Sequence, residues 1–404
     1  MKTWLIEPRD PLIFRDGRPF DASAGARAKS LPFPFPSTLV GVARTVAGRD
    51  KNGHFDAGQI DVLLAQGMEG PLLVELSETG GIADWLFPAP ADALVLRQTS
   101  YKKNAGHLVP LTVLKAPVGA TSNLGDGLML VGPVTLEKQK PHGKAPAFWR
   151  QSKFEDWLME PKAKDEVMFH ELGVAGLVRE SRMHVSIGHD SQTAEKGALF
   201  QTAGLEFMSV DKDDDSDNPP QLGTVAPLAL TVRTSVGVTA GLSFLGGERR
   251  IVRWSALADD FPACPDDVRE RIKEEKHCRL ILLTPGLFAE GYLPAGGRFD
   301  FGGVKAIVVA AAVNRYQTVS GWDYAYVAPN GRRGRPKPTR RLAPAGSVYF
   351  LKLDGDENAV DRFIDAVWMH NISDKPQDRR DGFGLAALGV WDGMPRNMEV
   401  TDES

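Results

Sequence analysis

The chain has 404 residues, of which 42% are hydrophobic and 25% are charged, so it is long enough for two globular domains with sizeable cores. Its 48 Lys and Arg against 52 Asp and Glu give a formal net charge of −4, which excludes a uniformly basic nucleic-acid-binding protein but not local basic clusters. The two cysteines, Cys264 and Cys278, exclude a disulfide framework and a zinc site built mainly from thiolates. With no apolar run of membrane-spanning length and no signal-peptide pattern, we expect a cytoplasmic protein.

The first 100 residues predict a strand, a long loop and a helix, followed by two more strands. TWLIE at 3–7 is typical of a short strand, and Asp, Gly and Pro residues then break the pattern. Three prolines within 32–37 hold the backbone extended, and Ser37 is a candidate N-cap for a helix. Apolar residues at helical spacing support that helix: Leu39, Val42, Ala43 and Val46. The two further strands are predicted at 72–76 and 93–97.

The rest of the chain alternates predicted strands and helices with two polar interruptions. Residues 100–175 predict an inserted loop region with a short helix at 154–160, and the aspartate-rich segment 211–220 predicts a solvated loop. Two strands joined by a polar turn are predicted within 182–210. Further strands are predicted at 228–236, 278–285, 304–313 and 347–353, and helices at 266–276 and 356–370.

The strongest electrostatic signal is a predicted basic loop at 331–341. It carries six positive charges and no acid in eleven residues: Arg332, Arg333, Arg335, Lys337, Arg340 and Arg341. Such a segment attracts polyanions, and each phosphate it neutralises releases counterions. RNA and an acidic protein neighbour both fit this charge, and the sequence leaves the two alternatives open.

Two glycine–arginine turns and the N-terminal loop add further candidate anion sites. Glycines let backbone N–H groups approach phosphates, arginines supply bidentate contacts, and Phe383 is a candidate for stacking on a base. The turns comprise Gly246, Gly247, Arg249 and Arg250 in the first, and Arg379, Arg380, Gly382, Phe383 and Gly384 in the second. The N-terminal loop and following helix contribute Arg15, Arg18, Ser37, Thr38 and Arg44, since a helix N-terminus favours anions.

No catalytic motif of a known kind occurs in the sequence. Single histidines leave one enzymatic alternative, since His184 or His189 could act as the base of a metal-independent endoribonuclease. An RNA-contacting or structural role for His184, next to Arg182 on a predicted strand, is the other interpretation. We therefore predict no catalytic residue, no metal site and no cofactor.

Several segments together resemble a known family. IEPRDPLIFRDGRPFDA at 6–22 and LPFPFPSTLVGVART at 31–45 are similar to the opening of the third Cmr subunit of type III-B CRISPR effector complexes. SRMHVSIGHDSQTAEKGALF at 181–200 is similar to that family's strand–loop–strand. RRLAPAGSVYFLKL at 340–353 and RRDGFGLAALGVW at 379–391 resemble its C-terminal core and glycine-rich loop.

The resemblance implies an α+β protein of the RAMP superfamily, with two ferredoxin-like (RRM-type) domains, long inserted loops and a glycine-rich loop. We place the domains at 1–255, with insertions at about 100–175 and 211–220, and at 256–404. The implied function is a non-catalytic scaffold that holds the 5′ tag of the guide RNA. The implied neighbours are the large polymerase-like subunit and the repeating backbone RAMP subunit, with target RNA contacted indirectly and no membrane involved.

The predicted RNA-binding residues combine these clusters: Arg15, Arg18, Ser37, Thr38, Arg44, Arg182, His184, Gly246, Gly247, Arg249, Arg250, Arg340, Arg341, Arg379, Arg380, Gly382, Phe383 and Gly384. Two alternatives stay open at this point. One is the RAMP endoribonuclease that processes guide RNA, and the other is a protein-interaction module whose arginines bind an acidic partner.

Overall fold

A computed structural model describes residues 1–15, 27–28, 30–50, 52–98, 104–116, 119–125, 127–135, 138–210 and 225–399. Arg18 and the predicted acidic loop at 211–220 lie outside the described residues. The helices are α1 Pro36–Ala47, α2 Ile60–Ala65, α3 Gln151–Met159, α4 Phe169–Leu172, α5 Asp266–Glu275, α6 Glu357–Val367 and α7 Pro376–Arg380. In the described residues, no helix combines the length and the apolar character needed to cross a bilayer.

Strands β1 to β17 of the described residues precede residue 257. They are β1 Lys2–Pro8, β2 Arg27–Ala28, β3 Met68–Leu76, β4 Ile82–Pro88, β5 Ala93–Leu96, β6 Ala105–Pro110, β7 Thr112–Leu114, β8 Leu130–Gly132, β9 Phe148–Arg150, β10 Lys164–Met168, β11 Gly173–Val174, β12 Val178–Ile187, β13 Ala194–Glu206, β14 Met208–Val210, β15 Val225–Thr234, β16 Gly241–Phe244 and β17 Ile251–Ala256. The later strands are β18 His277–Leu282, β19 Arg298–Phe301, β20 Val304–Ala312, β21 Gln317–Val319, β22 Trp322–Val327, β23 Arg333–Pro336, β24 Arg340–Leu342, β25 Val348–Asp354 and β26 Ala386–Val390.

The larger of two main sheets is antiparallel and has the order β11-β9-β4-β3-β15-β1-β17-β16, with β14 beside β15. Strand β1 lies between β15 and β17, and α1 follows it in the chain before β3. Residues Trp4, Leu5 and Ile6 of β1 are all buried, because this strand lies inside the sheet. The sequence pattern of TWLIE therefore corresponds to an interior strand.

The second main sheet has five antiparallel strands in the order β19-β20-β25-β18-β26. Helix α6 connects β25 to β26 and buries one face, including Val360, Phe363 and Ile364. The Asp356 side chain caps this helix by accepting a hydrogen bond from the N–H of Ala359 at 2.7 Å. The apolar periodicity at 356–370 thus predicted a helix that packs on the core.

The structure is mixed α and β, with mostly antiparallel strands and few helices. The strands of the large sheet end at Ala256 and those of the five-stranded sheet begin at His277, on either side of the predicted domain boundary. One core cluster nevertheless includes residues from both sides of this boundary, such as Leu72 of β3 and Phe363 of α6. The division into domains at 255 stays a prediction.

Two expectations about local structure are wrong. The segment 331–341 is not a loop throughout, since it contains β23 and β24, which pair with β22 and β21. The region at about 100–175 is more regular than an inserted loop, because its described part forms β6 to β11 together with α3 and α4. These strands are short, and pairing partners distant in sequence decide their formation more than local propensity does.

A buried ion pair ties the region before β5 and helix α3 to the second sheet. The Arg279 side chain on β18 is almost fully buried, and its Nη1 donates to Asp92 Oδ2 at 2.7 Å. Its Nε donates to the carbonyl of Val390 at 2.9 Å, and its Nη2 donates to the carbonyl of Leu158 at 3.0 Å. Asp92 also accepts from Trp157 Nε1 at 2.9 Å. Because each charge is paired and hydrogen-bonded, the burial is tolerated.

We expect Arg279→Ala to lower the free energy of unfolding by about 3–5 kcal/mol, because it leaves the Asp92 carboxylate buried without its cation. The double variant Arg279→Met/Asp92→Leu removes both charges and should recover part of that loss. Urea denaturation measures all three proteins. The exposed pair Lys162–Glu160 supplies the control, and Lys162→Ala should cost about 0–1 kcal/mol. A loss for Arg279→Ala as small as this control would contradict the assignment.

Candidate nucleic-acid interface

A groove of about 970 Å³ brings together several predicted residues that are far apart in the chain. Its walls come from the N-terminal loop, one face of α1 from Ser37 to Val46, the end of β16 with the turn to β17, and the segment 318–321. Five predicted RNA-binding residues line it: Arg15, Ser37, Thr38, Gly246 and Gly247. The exposed Arg49 at the end of α1 also lines it and was missed, because a single arginine after a helix carries no distinguishing pattern.

The α1 N-terminus forms one wall of the groove. The N-cap is Phe35 and not Ser37 as predicted, because Pro36 already occupies the first helical position that proline favours. No side chain caps the helix, and its first turn contains no acidic residue. Ser37 and Thr38 thus lie in the first turn, where the helix dipole favours an anion, and the N–H of Thr38 already donates to the carbonyl of Phe35 at 3.0 Å.

The first glycine turn packs directly on the N-terminal loop. Gly246 has φ of +78°, and a Cβ there would lie 2.5 Å from the carbonyl oxygen of Ile13. The N–H of Gly247 donates to that same oxygen at 2.7 Å. The N–H of Gly247 is therefore occupied within the protein, which contradicts its predicted contact with phosphate. The turn requires glycine because two backbone segments meet there.

An exposed aromatic ring borders the same turn. Phe244 at the end of β16 lines the groove, is 45% exposed, and has the guanidinium carbon of Arg249 at 5.1 Å from its ring centroid. Arg250 is less available, because its Nη2 contacts Glu248 Oε2 at 3.0 Å and its side chain is mostly buried. The local sequence GLSF does not predict the exposure of Phe244, because Leu242 and Phe244 form an apolar strand face that alternation would assign to the core.

The two predicted arginines of β24 do not line the groove but lie on a strand that pairs with one of its walls. Arg341 pairs with Thr318 and Arg340 with Val319, and both partners line the groove. The exposed Arg341 holds its guanidinium carbon 4.9 Å from the centroid of the Tyr316 ring. Arg340 contacts the buried Asp378 carboxylate at 2.6 Å, so it is engaged in an ion pair inside the protein.

The second glycine turn packs against the start of α1, next to the groove. Phe383 is 1% exposed and belongs to a small apolar cluster of Phe35, Leu287, Val319, Leu342 and Phe383. Its predicted role in stacking on a base is therefore wrong. The N–H groups of Gly382 and Gly384 donate to the carbonyls of Arg379 and Pro285, which contradicts their predicted contact with RNA. A Cβ on Gly382 would lie 2.7 Å from Cβ of Pro36, so this turn packs against the start of α1.

Two predicted arginines near this turn make internal contacts. Arg44 of α1 donates to Asp381 Oδ1 at 2.6 Å and to the carbonyl of Gln66 at 2.8 Å. Arg379 donates to the carbonyls of Ser373 and Asp374 at 2.6 and 2.8 Å. Both guanidinium groups thus hold the turn and helix in place, and their predicted phosphate contacts stay predictions. Arg380, by contrast, is exposed.

Arg182 and His184 lie on the hairpin of β12 and β13 and are not among the described residues that line the groove. The hydrogen bond from Arg182 to Glu180, at 2.6 Å, raises the pKa of the guanidinium. His184 Nε2 lies 2.9 Å from Thr202 Oγ1, and its ring is stacked on that of Phe200 with centroids 5.1 Å apart. These two contacts fix the orientation of the imidazole ring.

Comparisons with known proteins identify the family. A family model described as "CRISPR-associated protein (Cas_Cmr3)" matches residues 4–391, while a search of curated proteins gave no significant match. Two similar solved chains come from Type III-B Cmr-beta bound to cognate target RNA, with 17% identity and TM-score 0.46, and from that complex with AMPPnP, with 15% and 0.44; each alignment covers 86% of both chains. A chain of the type III-A Csm3-Csm4 subcomplex has 10% identity and TM-score 0.33, over 97% of this chain and 100% of that one. Because the family model spans nearly its whole length, this chain belongs to the Cas_Cmr3 family, which confirms the resemblance of its motifs to the third Cmr subunit.

Proposed function

We propose that this chain, a subunit of a type III-B CRISPR effector complex, is an RNA-binding scaffold that holds the 5′ tag of the guide RNA in the groove. The observation that carries the proposal is convergence: the N-terminal loop, the α1 N-terminus, the first glycine turn and the strand beside Arg341 border one groove. On a chain with a net charge of −4, RNA binding needs such a local concentration of cations.

The groove contains the two kinds of group that single-stranded RNA requires. The first turn of α1 with Arg15 and Arg49 supplies positive potential for phosphates. Phe244 supplies an exposed aromatic face on which a base can stack, and the neighbouring Arg249 adds a cation next to that face. Phe244 thus replaces the buried Phe383 in the proposed stacking role.

The architecture supports two ferredoxin-like units. In the first half the neighbouring strands are β17-β1-β15-β3, and in the second half they are β26-β18-β25-β20. Numbered by their position in each half of the sequence, both sets have the order fourth, first, third, second. Each half retains a crossover helix, α1 after β1 and α6 after β25, as in a split β-α-β arrangement. The large polymerase-like subunit and the backbone RAMP subunit are the proposed neighbours in the cytoplasm, with family membership as the support.

We further propose that the subunit is non-catalytic. Of the two candidate bases, His184 is held by Thr202 and Phe200, and the exposed His189 has its Nδ1 3.2 Å from Asp190 Oδ1; neither histidine is among the described residues that line the groove. A scaffold needs only the groove, whereas the alternative endoribonuclease needs a base beside the scissile phosphate.

For the groove, we expect the double variant Arg15→Gln/Arg49→Gln to weaken binding of single-stranded tag RNA, because two cations near the phosphates are lost. The slope of log affinity against log salt should fall in magnitude by about 1.4, or roughly 0.7 for each lost contact. Fluorescence anisotropy over a salt series measures both quantities. The control Arg271→Gln/Lys305→Gln removes equal charge from α5 and β20, and a loss of the same size there would argue against the groove.

For base stacking, Phe244→Leu should lower RNA affinity by about 5- to 150-fold, because base–aromatic stacking contributes about 1–3 kcal/mol. The melting temperature should hardly change, since the ring is 45% exposed. The comparison variant Phe383→Ala should instead lower the free energy of unfolding by about 3–5 kcal/mol, because it opens a cavity in the cluster. Unchanged RNA affinity in Phe244→Leu would rule out stacking on this ring.

For catalysis, incubation of the purified chain with repeat RNA in EDTA should yield no site-specific cleavage at any pH between about 6 and 8, the range over which histidine bases act. Denaturing gel electrophoresis detects the fragments. If specific fragments form and disappear in His184→Ala, the chain is an endoribonuclease and the scaffold proposal fails.

A further inference from the structure

A basic hairpin projects from the rim of the groove. This name refers to residues 322–337, which comprise β22, the turn, β23 and Lys337. Its four cations are all exposed: Arg332, Arg333, Arg335 and Lys337. Asp323 is its one acidic residue, so the segment carries a net charge of about +3.

The hairpin is continuous with the groove through its base. The N–H of Lys337 donates to the carbonyl of Gly321 at 2.8 Å, and Gly321 lines the groove. The chain enters the hairpin directly after the lining segment 318–321 and leaves it shortly before Arg340 and Arg341 of β24. A strand of RNA that leaves the groove on this side meets the hairpin cations next.

One arginine of the hairpin is already held in place. The guanidinium carbon of Arg335 lies 4.1 Å from the centroid of the Tyr326 ring, and its Nε is 3.5 Å from Asp323 Oδ2. Stacking on an aromatic ring fixes the plane of the guanidinium and leaves its edge N–H groups able to donate to an acceptor. Phosphate oxygens match that edge bidentately, so holding Arg335 reduces the entropy lost on binding.

We propose that the basic hairpin is a second RNA-binding surface, which contacts the sugar–phosphate backbone of nucleotides outside the groove without reading their sequence. The inference rests on the proposed function of the groove and extends it to RNA of greater length. Arginines and lysine on an exposed hairpin recognise phosphate charge, whereas base recognition needs edge contacts or a pocket. Continuity with the groove favours RNA over an acidic protein as the ligand.

The test compares two RNA lengths on the full chain. The variant Arg332→Gln/Arg333→Gln/Arg335→Gln/Lys337→Gln is measured by anisotropy with RNA of about four nucleotides, enough for the groove, and about sixteen nucleotides. We expect affinity for the long RNA to fall at least about tenfold at low salt, with the salt slope smaller by up to about 2.8. The loss of affinity should be the same whether the nucleotides 3′ of the tag have their natural or a scrambled sequence. Affinity for the short RNA should stay unchanged.

Three companion variants separate the outcomes. The all-lysine hairpin Arg332→Lys/Arg333→Lys/Arg335→Lys keeps the charge and should restore the salt slope, which guards against a loss caused by misfolding. Four equivalent neutralisations on α5, β19, β20 and β25, Arg271→Gln, Arg298→Gln, Lys305→Gln and Lys352→Gln, should leave the affinity for long RNA nearly unchanged. The groove variant Arg15→Gln/Arg49→Gln should weaken binding of both RNA lengths.

Each other result overturns the hairpin proposal. Unchanged binding of the long RNA by the glutamine variant would assign the hairpin to an acidic protein partner. Equal losses for short and long RNA would make the hairpin part of the groove and not a separate surface. If the unaltered chain binds neither RNA, the proposed function of the groove fails as well. Binding of the short RNA tests the groove by itself, so the two failures can be told apart.

Discussion

The geometry of the groove depends on burial of a small apolar cluster where distant parts of the chain meet. Phe35, Leu287, Val319, Leu342 and Phe383 form this cluster, and burial of each large side chain contributes about 1.5–3 kcal/mol. Phe35 is the N-cap of α1, and Val319 lies on β21, which pairs with β24, so their packing brings the helix and this strand to one groove. The groove is thus a consequence of core packing, since neither wall could be placed by its own local structure.

Polar contacts reinforce the same junction. Arg44 of α1 reaches Asp381, Arg340 of β24 reaches Asp378, and the backbone of Gly382 lies against Pro36. A partly buried guanidinium is costly unless it is paired, so these arginines remain with their carboxylates. The second glycine–arginine turn therefore positions the groove, whereas the first one borders it. Two turns of similar composition have different tasks because one is covered by α1 and the other is at the edge of a sheet.

Local patterns predicted much of the fold, since strand β1, helix α1 and helix α6 each carry a periodicity that their burial explains. Several predicted RNA-binding residues, among them Arg15, Thr38 and Gly246, lie together in the groove, and their contact with RNA stays a prediction. Composition could not tell which aromatic ring is exposed, and so Phe383 was chosen and Phe244 missed. Long-range pairing decided this, because exposure depends on which segment covers a residue, and nothing within a few residues of Phe383 records that α1 packs there.

The combination of local cations with an acidic chain has a consequence for selectivity. Screening limits the field of each cation to about 8 Å at physiological salt, so RNA is held only where several donors fall within that distance of one strand. Among the described residues, the cations that line the groove are Arg15 of the N-terminal loop and Arg49 after α1, and the proposed RNA site relies on these two. Elsewhere, the excess of carboxylates over cations disfavours nonspecific adsorption of polyanions. If the groove binds RNA as proposed, its affinity depends on the placement of a few residues, and the apolar cluster packed next to them maintains that placement.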